Sequence, residues 1–191
     1  MLDNKGETLW FLFLEGNANA FSSIFKMYYA SLHSYGLKIC GNTEVTEDSL
    51  QNFFIYLYEN RNTIGKVNNI KAYLFVSFRR ALFTHLKKER IFTELDSKNA
   101  IDTNFEFSHE ELTIKHEFSI AQRNVVINIL NTLSPREREV IYLKYYSSLN
   151  TSDISEAMDI SYQSVSNTLQ KAFSKLRKTI ENDMLSSILK K

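Results

Sequence analysis

An all-α protein of two helical domains is what this sequence predicts, and three observations carry the prediction. Hydrophobic residues fill 43% of the 191 positions, and 14 Phe and 10 Tyr supply the bulk for packed cores. Only 5 Gly and 1 Pro occur, which is little turn chemistry for a many-stranded sheet and favours helices joined by short loops. Apolar residues recur at helical spacing in two blocks, and an acidic stretch separates them.

The blocks assign residues 1–90 to a first domain, 91–118 to a linker and 119–191 to a second domain. Residues 1–90 carry 11 Lys/Arg against 8 Asp/Glu, 91–118 carry 2 against 7, and 119–191 carry 10 against 7. The net charge of +1 therefore hides two mildly basic modules around an acidic connector, a pattern suited to modules that each approach an anionic partner. The same pattern also suits a solvated surface with a disordered middle.

In the first block, the run Leu9–Leu14 is too short to span a membrane and lacks the basic flank and cleavage site of a signal peptide. A soluble, cytoplasmic protein without membrane insertion is expected. Phe21, Ile24, Phe25, Tyr28, Leu32, Tyr35 and Ile39 form one face of an amphipathic helix that Gly41-Asn42-Thr43 stops. Thr46 is the expected N-cap of the next helix, with Glu47 and Asp48 in its first turn and Leu50, Phe53, Phe54 and Leu57 on its apolar face. After a polar stretch from Glu59 to Asn69, helical spacing resumes at Leu74, Phe75, Phe78, Leu82 and Leu86. Three such faces bury one another in a bundle.

Periodicity fades between Ile91 and Glu117, where Phe105, Phe107 and Leu112 are scattered among acidic residues. A tether is expected there, with one helical turn near His109–Leu112. A helix with Val126, Ile129, Leu130 and Leu133 inward then ends before Ser134-Pro135-Arg136-Glu137. That tetrapeptide is a helix start: Ser caps, Pro takes the first helical position and Glu completes a capping box. The helix it opens, with Val140, Ile141 and Leu143, should last to about Tyr146. Asn150 or Thr151 caps a short helix with Ile154, Ala157 and Met158 inward. Asp159-Ile160 connects it to a longer helix capped by Ser161, whose apolar stripe is Val165, Leu169, Ala172, Phe173, Leu176 and Ile180.

This last pair has helix-turn-helix spacing. Tyr162, Gln163, Ser166, Asn167, Gln170 and Lys171 occupy the other face of the longer helix. In a major groove its first residues meet base edges, where Gln and Asn pair with adenine. Lys171, Lys175, Arg177 and Lys178 are placed for phosphates. Any solvated helix also carries Gln, Asn and Lys.

The order of these parts, Leu133 to Ile141, then Ile154 to Met158, then Ser161 to Leu176, resembles region 4 of the sigma-70 family, the domain that reads the promoter −35 element. The resemblance implies −35 contacts from Tyr162, Gln163, Ser166, Asn167, Gln170, Lys171 and Lys175. Ser166 stands where many members carry a basic residue. Upstream, Glu47-Asp48-Ser49-Leu50-Gln51-Asn52-Phe53-Phe54 is similar to the acidic helix of sigma region 2. That likeness implies binding to the coiled-coil clamp of core RNA polymerase through Glu47, Asp48, Gln51 and Phe54.

Ile70 to Phe75, followed by Arg79, Arg80, Lys87, Lys88 and Arg90, resembles the part of region 2 that melts and reads the −10 element. Residues 66–90 hold seven basic residues and one acidic one, interleaved with aromatics, a composition that suits single-stranded DNA. The −10 contacts implied are Arg61 and Asn62, from the loop that in this family captures a flipped base, and Arg79, Arg80, Thr84, Lys87 and Lys88. Arg80 stands where many members carry Asn. A short acidic linker in place of a middle domain points to the extracytoplasmic-function (ECF) branch. The resemblance implies core RNA polymerase, promoter DNA and an anti-sigma factor as partners.

No Gly-rich phosphate loop, metal-ligand cluster or nucleophile triad is evident, and His33, His85, His109 and His116 are scattered. No catalytic residue, metal or cofactor is expected, and the lone Cys40 reads as a buried thiol. Two alternatives remain from sequence: a helix-turn-helix regulator whose first domain binds something other than polymerase, and a sigma mimic that occupies an anti-sigma factor without promoter activity.

Overall fold

The computed structural model describes residues 3–67, 69–93, 105–107 and 120–189. It is all-helical among these residues and divides into two compact units, Met1–Asp102 and Thr103–Lys191. The helical turn expected near His109–Leu112 lies outside the described residues.

Among its described residues the first unit has four helices: α1 (Asp3–Leu14), α2 (Ala18–Cys40), α3 (Thr43–Glu59) and α4 (Ile70–Thr93). The expected bundle had three. The addition is α1, whose apolar run is too continuous to show a helical period, yet Trp10 and Phe13 are buried among α2 and α4. Asn17 caps α2, its side chain accepting from the backbone N–H groups of Asn19 and Ala20, and Gly41 ends it in the left-handed conformation.

The N-cap of α3 is Asn42 rather than Thr46. Gly41 and Asn42 suffice to turn the chain, so the helix starts a turn earlier than expected. Thr46 becomes an interior, fully buried residue whose hydroxyl donates to Asn42 O at 2.7 Å. Cys40 is half-exposed rather than buried, with Sγ 3.0 Å from Thr46 Oγ1 and 3.2 Å from Gly36 O.

Leu32, Tyr35, Ile39, Leu50, Phe53, Leu57, Leu74, Phe75, Phe78 and Leu82 form the core in the registers that the apolar spacing predicts. Phe25 departs from its expected place: it lies on the rim, with its ring against Phe54. Gly36 is where α2 meets both neighbours. A Cβ there would lie 2.8 Å from Thr46 Cγ2 on α3 and 3.0 Å from Phe78 Cζ on α4.

The second unit contains α5 (Ile120–Asn131), α6 (Pro135–Ile141) continuing into a π turn (Tyr142–Tyr146), α7 (Thr151–Met158) and α8 (Tyr162–Leu189). The capping box at Ser134 and Glu137 forms as the tetrapeptide predicts. Asn150 and Asp153 make a second box at α7, and Ser161 Oγ accepts from Ser164 N at 3.1 Å to open α8. Asp159, at φ 53°, makes the tight turn between α7 and α8, a conformation Asp tolerates better than most side chains.

Two residues of the acidic segment belong to this unit's core. Phe105 and Phe107 are buried, with rings 5.4 Å from Tyr142 and Tyr146 respectively. The Asn131 side chain clips the Phe107 backbone in both directions, accepting from its N–H at 3.0 Å and donating to its carbonyl at 3.2 Å. At the other end of the unit the expected stripe of α8 is only partly buried. Val165 and Ala172 are enclosed, but Phe173 and Ile180 are exposed, Phe173 meeting Tyr145 edge-on.

The close approach at Gly36 gives a prediction. Gly36→Ala gains helix propensity but forces a methyl group against two fully buried side chains, and overpacking wins. Denaturant unfolding should show a loss of roughly 1–2 kcal/mol.

Candidate nucleic-acid and partner interfaces

In the first unit α2 and α3 leave a groove of about 650 Å³ between them. Phe21, Phe25 and Tyr29 form one wall, and Glu47, Gln51, Phe54, Ile55, Tyr58 and Glu59 form the other. Three of the four residues expected to bind a partner, Glu47, Gln51 and Phe54, therefore lie together. Phe54 is buried at the base, its ring 4.8 Å from that of Phe25. Glu47 Oε1 lies 3.7 Å from His33 Nε2. Asp48 is exposed on α3 but is not part of the groove lining. The arrangement joins an apolar floor to a rim of carboxylates and an amide, chemistry suited to a helix bearing arginine and aliphatic side chains.

A second groove, of about 710 Å³, runs between α3 and α4. Arg80, Thr84 and Lys88 line it from α4, and so do Tyr73, Ser77 and His85. Asn52 and Tyr56 face them from α3. Burial pushes the Tyr73 hydroxyl above its ordinary pKa, a hydrogen bond with Ser77 opposing and Tyr56 adding to it, so the phenol stays neutral. Positive charge, amides and aromatic rings along one trough fit a single strand whose backbone follows the cations and whose bases meet rings. The α3 side of this trough was not anticipated, because residues 52 and 56 join 73 to 88 only in the folded bundle.

The remaining cations expected at DNA are placed differently. Arg79 stacks on Phe83 at 4.3 Å, and Lys87 is exposed outside the groove. Arg61 turns inward, its Nη1 donating to Tyr58 O at 2.8 Å and its guanidinium resting 4.8 Å from the Tyr58 ring, while Asn62 beside it is exposed.

In the second unit, Tyr162, Gln163, Asn167, Gln170 and Lys171 of α8 are exposed, and Ser166 is partly covered. Gln163 Nε2 donates to Asn167 Oδ1 at 3.0 Å, so the two amides expected to meet bases hold each other in the free chain. Asn167 and Lys171 also border a cleft of about 360 Å³ with Arg136 from the start of α6. Arg136 thus joins the basic edge of α8, a placement visible only once α6 and α8 pack together. Lys175 does not join them. Its Nζ lies 2.8 Å from Glu137 Oε2, where it ties α8 to the capping box of α6.

Glu137 is almost wholly buried. Burial raises its pKa, but the bonds from Lys175 and from Ser134 outweigh that and hold the carboxyl below its ordinary value. A depressed folded-state pKa contributes stability above the unfolded carboxylate's pKa and loses it as pH falls through the folded one. Glu137→Gln should therefore cost roughly 0.5–1 kcal/mol at neutral pH, small because the lysine end is half-exposed. In denaturant titrations across pH, the gap between the two proteins should close below the usual carboxylate range.

Among the described residues no three His, Cys, Asp or Glu side chains gather to hold a metal ion, and no helix is long and apolar enough to cross a membrane.

Residues 123–176, which contain this helix-turn-helix, match the family model "Sigma-70, region 4". An RNA polymerase sigma-E factor of Streptomyces avermitilis is 26% identical over 139 residues, covering 71% of this chain and 71% of the relative. The ECF RNA polymerase sigma factor SigL of Mycobacterium tuberculosis is 24% identical over 174 residues, covering 88% and 95% respectively. The fold is also that of the sigma factor RpoE from Bartonella quintana, solved in complex with the anti-sigma factor NepR. That match has a TM-score of 0.56 and 16% identity, over 84% of this chain and 96% of that one. With a match to sigma-70 region 4 in the second unit and likeness to sigma factors running through the first, the chain is similar across both units to extracytoplasmic-function sigma factors.

Proposed function

We propose that the chain binds core RNA polymerase and directs promoter-specific initiation of transcription. The observation that carries this is extent: likeness to a named ECF sigma factor runs over 174 residues and so takes in both units. A helix-turn-helix regulator would share the second unit alone. The α2–α3 groove, with Glu47, Gln51 and Phe54, and the adjacent Asp48, would meet the polymerase. The α3–α4 trough, with Arg80, Thr84 and Lys88, would follow the single-stranded −10 element, with Arg79, Lys87, Arg61 and Asn62 at its margins. Tyr162, Gln163, Ser166, Asn167, Gln170 and Lys171 would read the −35 element in the major groove, with Lys175 held back by Glu137.

In this reading the chain is not an enzyme; it performs no bond chemistry of its own and supplies specificity to the polymerase. Its place of action is the cytoplasm, where that polymerase works. An anti-sigma factor is a fitting third partner, since the RpoE neighbour was solved with one.

Reconstitution with core RNA polymerase on a promoter library tests the proposal. Promoter-dependent transcripts are expected. DNA binding by the free chain without such transcripts would instead identify a regulator, and neither activity would fit a sigma mimic.

Asp48→Lys should weaken core affinity by about tenfold in a binding titration and leave the unfolding midpoint unchanged. Replacing Gln163 by Ala should change the ranking of −35 sequences by roughly 1–3 kcal/mol at one base position. An unchanged ranking would make that residue surface only.

A further inference from the structure

α1 runs along the loop between α3 and α4 and touches it near its start, near its middle and at its exit. At the start, Gly16, in the turn after α1, has φ 87° and abuts Arg61: a Cβ there would lie 3.5 Å from the guanidinium Nε. Near the middle, Trp10 Nε1 donates to Gly65 O at 3.3 Å. At the exit, Gly6 packs close to Ile70, with 3.5 Å from its Cβ position to Ile70 Cδ1.

Trp10 is itself held firmly. It is almost wholly buried, its ring 5.1 Å from Phe13 and 5.3 Å from Tyr73 in an edge-on contact. Tyr73 lines the α3–α4 trough, so one indole links that trough to the loop beside it. At its exit Asn69 caps α4, its side chain accepting from Ala72 N–H at 3.1 Å; at its beginning Thr63 N–H donates to Asn60 O and Arg61 donates to Tyr58 O. Gly65 comes after both, has no side chain, and an added Cβ there would meet open space. Its carbonyl is held from outside the loop, by Trp10.

We propose that Trp10 is a positioning residue for promoter reading: its indole N–H, donated to the Gly65 carbonyl, fixes the 61–67 loop at the edge of the −10 trough. The inference rests on the reading that this unit engages the −10 element. α1 is then part of the specificity apparatus, though its residues do not touch DNA. Losing one hydrogen bond leaves the loop several conformations in place of one, and each accepts bases the fixed loop rejects. Discrimination falls while overall binding changes less.

The chain contains a single Trp, which permits a one-atom test. Residue-wide replacement of tryptophan by benzothienylalanine exchanges the indole N–H for sulfur and keeps the ring shape. Trp10→Phe is the genetic counterpart. Each protein would be assembled with separately prepared core polymerase and transcribed from libraries randomised in the −10 or the −35 element.

Discrimination among −10 sequences should fall roughly two- to tenfold, the span of one hydrogen bond. The −35 ranking and core affinity should stay as in the wild type, and amide exchange should rise over 61–67. Unchanged −10 discrimination by the folded benzothienylalanine protein overturns the proposal. Equal loss of −10 and −35 discrimination also overturns it, because that marks a general loss of structure. No promoter-dependent transcript from the wild type removes the sigma reading itself and this inference with it.

Discussion

The first unit depends on how closely three helices approach one another at Gly36. With no side chain there, α2 settles against Thr46 of α3 and Phe78 of α4 at distances that leave no room for a methyl group. That contact fixes the separation of α2 from α3, and hence the width of one groove. It also brings α4 against α2 at Phe78. Thr46 is the hinge of the arrangement: its hydroxyl is satisfied by Asn42 O, and its methyl fills the space that Gly36 vacates. The acidic and apolar groove beside this contact therefore depends on a single point of packing.

The second unit is organised differently, around polar ties. Glu137 closes the capping box at Ser134 and holds Lys175 of α8, so the start of one helix and the middle of another share a carboxylate. This makes Lys175 a structural cation and leaves Arg136 and Lys171 as the cations lining the open cleft. Asn131 performs a similar service at the other side, where it replaces a strand partner for Phe107. Phe105 and Phe107 each bury a ring, worth roughly 1.5–3 kcal/mol apiece, so residues from an acidic stretch become part of the core.

Much of this was legible in the sequence because it is local. The apolar faces of α2, α3 and α4 follow a 3.6-residue period, and the capping box follows a fixed offset of three from Ser134 to Glu137. α1 was missed because six consecutive apolar residues carry no period. The start of α3 was misplaced because Asn42 and Thr46 are both good capping residues, and only the two-residue turn decides between them. Phe173 and Ile180 were read as core because they keep the helical spacing of Val165 and Ala172, but in the folded unit both stay exposed, Phe173 touching Tyr145. The groove partners Asn52 and Tyr56, the cleft residue Arg136 and the Glu137–Lys175 tie join positions distant in sequence. No spacing rule connects 137 with 175, so only the folded chain reveals which cation is committed and which remain at the surface.

In the −35 reading proposed above, the bond between Gln163 and Asn167 bears on how sharply the chain would sort its targets. Two amides that satisfy each other are not orphaned when a base fails to match them; they can return to their own pairing at 3.0 Å. The usual penalty for an unfavourable match, a polar group desolvated with nothing to bond, is then largely avoided. A correct base must also displace a bond that already exists, which lowers the gain from a good match. Both effects compress the range between best and worst sequences. In that −35 reading, a helix built this way would grade its sites along a shallow scale.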